Sequence, residues 1–142
     1  MFGQKFMCFA VLLIYTGNTN VYAKKNTEEE AKMKAVLIPI LNECKAEYGV
    51  AEIQSMEDVD ACLLGCFFKK IKIIDSNGDF DVDAAIELNK LYIKTEEDLA
   101  VTENLIKECI KVNEAKVSDG DKGCERSKLL YECFKSKDLL LQ

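Results

Sequence analysis

Apolar residues recur every three or four positions along most of this chain, which is the period of an amphipathic α-helix. In the first such segment, Thr27 and Glu30 form a capping box that predicts a helix start. The apolar stripe that follows consists of Met33, Val36, Leu37, Ile40, Leu41 and Cys44. Pro39 lies inside the stripe, and because proline lacks an N–H and crowds the preceding turn, we expect a kinked or split helix. Gly49 predicts the end of this helix.

The rest of the chain repeats the helical pattern. Ser55 and Asp58 predict the start of a second helix, and Thr95, followed by three acidic residues, predicts the start of a longer one. Further helices are predicted at 83–93 and 124–136, with polar turns at 76–79 and 118–123. No segment alternates with the period of a strand. The sequence therefore predicts an all-α fold, a compact bundle of five to six helices.

The first 23 residues break this pattern. A basic start, MFGQK, is followed by the apolar run FMCFAVLLIY and by TGNTNVYA, which ends in a small residue. This order is typical of a secretory signal peptide cleaved after Ala23. We therefore expect a cleaved signal peptide at 1–23, one helical domain at 24–142, and a secreted, extracellular protein. No later apolar run approaches the roughly 20 residues that span a bilayer, so we expect no stable membrane insertion.

Cleavage would leave an even number of cysteines. The sequence has seven, and loss of Cys8 with the signal peptide would leave six. An even set behind a secretory signal is typical of a disulfide framework. The net charge of the whole sequence is −6, which argues against nucleic acid and anionic membranes as partners.

Candidate catalytic and metal-binding groups are few. The chain has no histidine, which excludes the Ser-His-Asp and Cys-His arrangements and the imidazole ligands of zinc. The stretch DSNGDFDVDAAI at 75–86 begins like a calcium loop. However, Phe80 stands where the loop needs glycine, and Ile86 stands where it needs a bidentate glutamate. We therefore expect no enzyme, no metal and no other cofactor.

Helix geometry limits how the six cysteines can pair. Cys62 and Cys66 are four positions apart on a predicted helix, where Cβ atoms lie about 5–6 Å apart, whereas a disulfide needs about 3.5–4.5 Å. Cys124 and Cys133 would lie on opposite faces of one helix, about 13 Å apart along its axis. Six cysteines allow about 15 pairings, and most of them remain open. Neither a redox C-x-x-C pair nor clustered zinc ligands are present, so we interpret the cysteines as structural.

The spacings C-x3-C at 62–66 and C-x8-C at 124–133, in a small secreted helical chain, resemble those of the insect odorant-binding proteins of the six-cysteine type. The stretch FKKIKIIDSNGDFDVDAA after Cys66 resembles the same family, and the resemblance covers the whole mature chain. One departure is the 17-residue gap between Cys44 and Cys62, which is short for the family. The short second helix of the family lies in this gap, and here we expect it to be reduced to a turn within Val50–Met56. The pairing that the resemblance implies is Cys44–Cys66, Cys62–Cys124 and Cys109–Cys133.

The resemblance also implies a function. It indicates a secreted carrier that transports a small hydrophobic ligand, such as an odorant or pheromone, in an apolar cavity between the stapled helices. Its partner would be a small apolar molecule, either volatile or lipid-like. A membrane receptor is a further candidate partner, and the formation of a homodimer stays open. Candidate ligand-binding residues, each equally compatible with plain core packing, are Leu37, Ile40, Leu63, Phe67, Leu88, Tyr92, Leu105, Ile106, Leu130, Phe134 and Leu140.

Two details complete the hypothesis. Tyr92 and Tyr131 are candidates for an orienting hydroxyl, and the leucines at 139–141 are expected to fold back over the cavity. The alternative is a disulfide-rich helical signalling or venom polypeptide that acts through its surface. Such a protein would bind a protein partner but no apolar probe.

Overall fold

The computed structural model describes residues 27–53 and 58–141, with only the backbone described at 27, 29, 30 and 137–141. The predicted signal peptide, at 1–23, lies outside the described residues. Five α-helices lie within this part of the chain: α1 Thr27–Glu47, α2 Ala61–Lys70, α3 Val82–Lys90, α4 Glu96–Glu108 and α5 Cys124–Leu141. Two 3₁₀ helices, Cys109–Glu114 and Gly120–Lys122, connect α4 to α5. The prediction of a compact all-α fold with three disulfides is confirmed.

Helix α1 is continuous through Pro39, so the predicted split does not occur. The ring of Pro39 faces solvent, and the buried side chains Met33, Leu37, Leu41 and Cys44 form the opposite stripe. The helix ends in a Schellman motif, in which Val50 N–H donates to the carbonyl oxygen of Lys45 at 2.8 Å and Gly49 N–H to that of Ala46 at 3.3 Å. Gly49 has a φ of +66°, which glycine adopts without strain.

Side-chain caps fix the starts of α2 and α4. Asp60 Oδ1 accepts hydrogen bonds from Cys62 N–H at 2.7 Å and Leu63 N–H at 3.2 Å, so α2 begins at Ala61 and the earlier start predicted from Ser55 and Asp58 is wrong. The start of α4 agrees with the prediction, because Thr95 Oγ1 accepts from Asp98 N–H at 3.2 Å. Two helix ends also differ: α3 stops at Lys90, and α5 continues past 136 to Leu141.

Helices α2 and α5 make the most extensive helix pair of the described chain, and α1 also packs on α2. Gly65 allows the close approach, because a Cβ atom there would lie 3.3 Å from both Cys124 Cα and the carbonyl oxygen of Gly123. Helix α3 packs on α4. The apolar faces of all five helices meet in one buried core, which also takes in Ile73, Ile74 and Phe80 from the turn between α2 and α3.

Candidate functional site

Three disulfides hold the bundle together. Cys44 of α1 is bonded to Cys66 of α2, Cys62 of α2 to Cys124 of α5, and Cys109 of the first 3₁₀ helix to Cys133 of α5. These are the three pairs that the resemblance implies. Helix α2 is therefore fastened to both of its neighbours, and the α2–α5 bond has Cα atoms only 4.3 Å apart. Such bonds stabilise mainly by restricting the unfolded chain, by about 3 kcal/mol each.

The structure brings most of the predicted ligand-binding residues together in the core. Those whose side chains are buried come from α1, α2, α4, α5 and the turn after α3: they are Leu37, Leu63, Phe67, Tyr92, Leu105, Ile106, Leu130 and Phe134. Ile40 and Leu88 are partly buried and pack against the same core. The side chain of Leu140 lies outside those described. Because core-facing and ligand-facing positions coincide, ligand contact by any of these residues stays a prediction.

A cleft of about 340 Å³ opens into this region from the connection between α1 and α2. We call it the 50–63 cleft; it is lined by Val50, Glu52, Ile53, Asp58, Val59, Asp60 and Leu63. Leu63 is only 1% exposed and belongs to the core, so it joins the cleft to the bundle interior. The volume is within the range of small-ligand sites. Residues 50–53 are not helical, and 54–57 are not described, so the predicted turn at 50–56 stays a prediction.

Among the described side chains of α5, Arg126, Ser127 and Tyr131 are buried and carry polar groups. Tyr131 is buried at 3% exposure, and the ammonium nitrogen of Lys128 lies 5.7 Å from the centre of its ring. Ser127 has no exposed surface, and its hydroxyl has no hydrogen-bond partner among the described residues. At helical spacing, Ser127 shares a face of α5 with Leu130, Tyr131 and Phe134. The sequence analysis missed Ser127, although this spacing could have identified it.

The sequence analysis also missed Arg126, the only arginine in the sequence. It is buried at 7% exposure, and its Nε donates to the carbonyl oxygen of Gly78 at 3.1 Å. Its Nη1 donates to the carbonyl oxygens of Val112 and, at 3.0 Å, Ala115. Asp79 supplies a counter-charge, with Oδ1 at 3.6 Å from Nε. This single side chain therefore ties α5 to two separate loops.

The calcium-like stretch forms a self-contained turn. Asp75 Oδ1 accepts from Asn77 N–H at 2.9 Å and from Asp79 N–H at 3.0 Å. The Asp79 carboxylate also faces Arg126. The carboxylate of Asp75 thus binds backbone amides, and that of Asp79 faces a guanidinium. No cluster of potential metal ligands is found among the described residues.

Asn113 anchors the end of the same turn. Its Oδ1 accepts from Phe80 N–H at 2.7 Å, and its Nδ2 donates to the carbonyl oxygen of Phe80 at 2.9 Å. The side chain therefore imitates the pairing of a neighbouring strand. It also positions the ring of Phe80, which packs edge-on against Phe134 with centroids 5.9 Å apart.

Comparison with known proteins gives one match. The model of the PBP/GOBP family matches residues 26–137, well over half of the chain. No curated protein matches significantly, and neither does any solved structure.

Proposed function

Because the chain belongs to the PBP/GOBP family, the insect odorant- and pheromone-binding proteins, we propose that it carries one small hydrophobic molecule through an aqueous extracellular fluid. The family match over residues 26–137 is the observation that carries this proposal. Members of this family are binding proteins and not enzymes. The ligand would be an odorant, a pheromone or a chemically similar compound.

The bundle interior is the proposed binding site. Apolar side chains of all five α-helices converge there, and three disulfides restrain the helices around them. Burying about 300 Å² of apolar ligand surface contributes roughly 7 kcal/mol at 25 cal/mol per Å². Immobilising the ligand opposes this gain, so we expect micromolar affinity. The disulfides make such a site feasible because the fold depends less on a fully packed core.

The 50–63 cleft is the proposed route of entry. Its apolar lining leads to Leu63, which is a predicted ligand residue. The acidic residues at the cleft are Glu52, Asp58 and Asp60. Their charge would repel a carboxylate, so neutral alcohols, aldehydes and esters are the favoured ligands. Ser127 and Tyr131 supply the proposed polar contacts inside. The Ser127 hydroxyl has no hydrogen-bond partner among the described residues and can bond a ligand oxygen.

Secretion is part of the proposal. The predicted signal peptide at 1–23 and the three disulfides both favour an extracellular, oxidising environment. Within the described chain, no helix combines the length and apolarity needed to cross a bilayer.

The test is displacement of a polarity-sensitive fluorescent probe from the oxidised protein by alcohols, aldehydes, esters and fatty acids. We expect saturable one-to-one binding and micromolar competition, strongest for neutral compounds. Leu88 and Leu99 offer a matched pair, since both are partly buried leucines packed on the core. Leu88→Ala should weaken binding several-fold, and Leu99→Ala should not. No probe binding by the correctly oxidised protein would contradict the carrier function and favour the surface-acting signalling polypeptide.

A further inference from the structure

We propose that a groove on the outer side of α2 is a second binding site, which takes a small aromatic carboxylate. The groove has a volume of about 520 Å³. We call it the lysine groove; it is lined by Glu47, Tyr48, Cys62, Cys66, Lys69, Lys70, Lys122 and Cys124. It lies where the end of α1, the outer face of α2 and the start of α5 meet.

The lysine groove is separate from the proposed interior site. On α2, Cys62, Cys66 and Lys69 are spaced four and three residues apart and share one face. Leu64 and Phe67 lie on the face that enters the core, roughly 160° and 140° around the helix from Cys62 at about 100° per residue. Helix α2 therefore stands between the two sites, and the cysteines that staple it form the floor of the groove.

Charge defines the kind of ligand that the groove attracts. Three of its eight lining residues are lysines and one is a glutamate, although the whole chain has a net charge of −6. Lys70 is paired with Glu47 at 3.0 Å and Glu43 at 3.5 Å. Its pKa is raised, first by the hydrogen bond to Glu47. Lys69 and Lys122 are therefore the cations left to bind an anion.

Lys69 is already positioned for this role. Its Nζ donates to the carbonyl oxygen of Asp121 at 2.7 Å, which holds the ammonium group beside the loop that carries Lys122. An ammonium group has three N–H donors, so the contact with Asp121 leaves two for a ligand.

The apolar part of the groove selects an aromatic ligand. Tyr48 is 49% exposed, so one side of its ring is open to contact. The Cys44–Cys66 and Cys62–Cys124 disulfides add polarisable sulfur beside it. A ligand whose aromatic ring stacks on Tyr48 and whose carboxylate points toward Lys69 and Lys122 contacts both the apolar and the basic residues of the groove. Eight residues are too few for a protein partner, which needs about 20–30 residues a side.

Nuclear magnetic resonance titration of the ¹⁵N-labelled, oxidised protein with benzoate tests the proposal. Benzamide is the matched neutral probe, because it keeps the ring and removes the charge. We expect benzoate to shift the amide signals of Tyr48, Cys66 and Lys122 in a saturable manner. We expect benzamide to cause much smaller shifts. An apolar ligand that saturates the interior site should leave the benzoate shifts unchanged.

Two variants separate charge recognition from general effects. Lys122→Gln should weaken benzoate binding about threefold, the effect of one exposed ion pair. Lys107→Gln removes an exposed lysine of α4 and should change nothing. Equal shifts by benzoate and benzamide, no saturation, or shifts confined to core residues such as Leu130 would each overturn the proposal. None of these results bears on the interior carrier site, which the fluorescent displacement experiment tests independently.

Discussion

Arg126 donates a hydrogen bond from Nε to the backbone carbonyl of Gly78, 48 positions earlier in the chain, at 3.1 Å. This contact places a buried guanidinium between the first helical turn of α5 and the turn that follows α2. A guanidinium has a planar set of five N–H donors, and here it serves carbonyl oxygens from two separate loops. The contacts identify Arg126 as a central stabilising residue of this end of the bundle.

Replacing Arg126 with lysine should therefore be costly even though the charge is kept. A lysine ammonium is a point charge and cannot reach all of the carbonyl oxygens that Arg126 reaches. We expect Arg126→Lys to lower the free energy of unfolding by about 2–3 kcal/mol, measured by urea denaturation. Lys111→Arg, at an exposed position, should stay within about 0.5 kcal/mol of the parent. Equal stability of Arg126→Lys and the parent would show that the network contributes little.

Gly78 and Gly120 form a natural comparison, because both have positive φ angles, +85° and +61°. A Cβ atom at Gly78 would lie 3.0 Å from the Cα of Asp121, whereas a Cβ atom at Gly120 meets nothing within 4 Å. Both alanine variants incur backbone strain of about 1–2 kcal/mol. We expect thermal or urea unfolding to show Gly78→Ala as the less stable by at least about 1 kcal/mol. A smaller difference would mean that the two loops separate easily.

The Asn113 side chain clamps the backbone of Phe80 through two hydrogen bonds, and substitution of Asn113 measures how much this clamp contributes to stability. Asn113→Ala leaves the Phe80 N–H and carbonyl without their side-chain partner, so we expect a loss of about 1–3 kcal/mol in unfolding free energy. Asn113→Asp keeps the acceptor but loses the donor to the Phe80 carbonyl, and it should also destabilise. Asn104→Ala, on the exposed face of α4, should be neutral or slightly stabilising. If Asn113→Ala behaves like Asn104→Ala, the clamp has no energetic role.

The end of α5 offers a functional test. The leucines at 139–141, Leu140 among them, are expected to cover the cavity, and in the structure they form the end of α5, which extends to Leu141 without a break. We expect deletion of residues 137–142 to weaken ligand affinity at least several-fold in the probe-displacement experiment. Urea unfolding of the same variant serves as the control for folding. Unchanged affinity in a folded variant would remove Leu140 from the ligand site.

Acid should have little effect on ligand binding. The chain has no histidine, the side chain that ordinarily changes charge near neutral pH. The pKa of Lys70 is raised above its ordinary value of 10.5, so the stability from its ion pairs is fully present below that value. It is lost only as the pH rises through the raised pKa. We expect ligand affinity to change less than about threefold between about pH 5 and 7. A tenfold loss would point to titrating carboxylates instead.

Local signals in the sequence predicted much of the fold. The capping position of Thr95 and most of the stripe of α1 depend on neighbouring residues and appear in the structure as expected. The exception is Val36, which was predicted on the buried stripe but is 51% exposed. The start of α2 was misjudged because Ser55 and Asp58 have the spacing of a capping box, whereas Asp60 supplies the carboxylate that caps the helix. Tertiary packing determines which candidate residue caps the helix, and a short stretch of sequence does not show that outcome.

The candidate site was harder to predict than the helices. Arg126 binds backbone carbonyl oxygens, which every residue has, so no partner can be identified from residue types. The lysine groove depends on Tyr48, Lys69 and Lys122, which lie far apart in the chain and meet where two disulfides join α1, α2 and α5. Ligand contacts in the core could not be predicted for another reason. A helix face that lines a cavity and a helix face that packs in a solid core have the same apolar pattern in the sequence.

The order of the disulfides has a consequence for resistance to proteolysis. The loop closed by Cys44–Cys66 overlaps that of Cys62–Cys124, which in turn overlaps that of Cys109–Cys133. Every peptide bond from Cys44 to Cys133 is therefore bridged by at least one disulfide. A single proteolytic cut in this span leaves the two fragments covalently joined. The cut molecule therefore loses no residues until a reductant cleaves the disulfides.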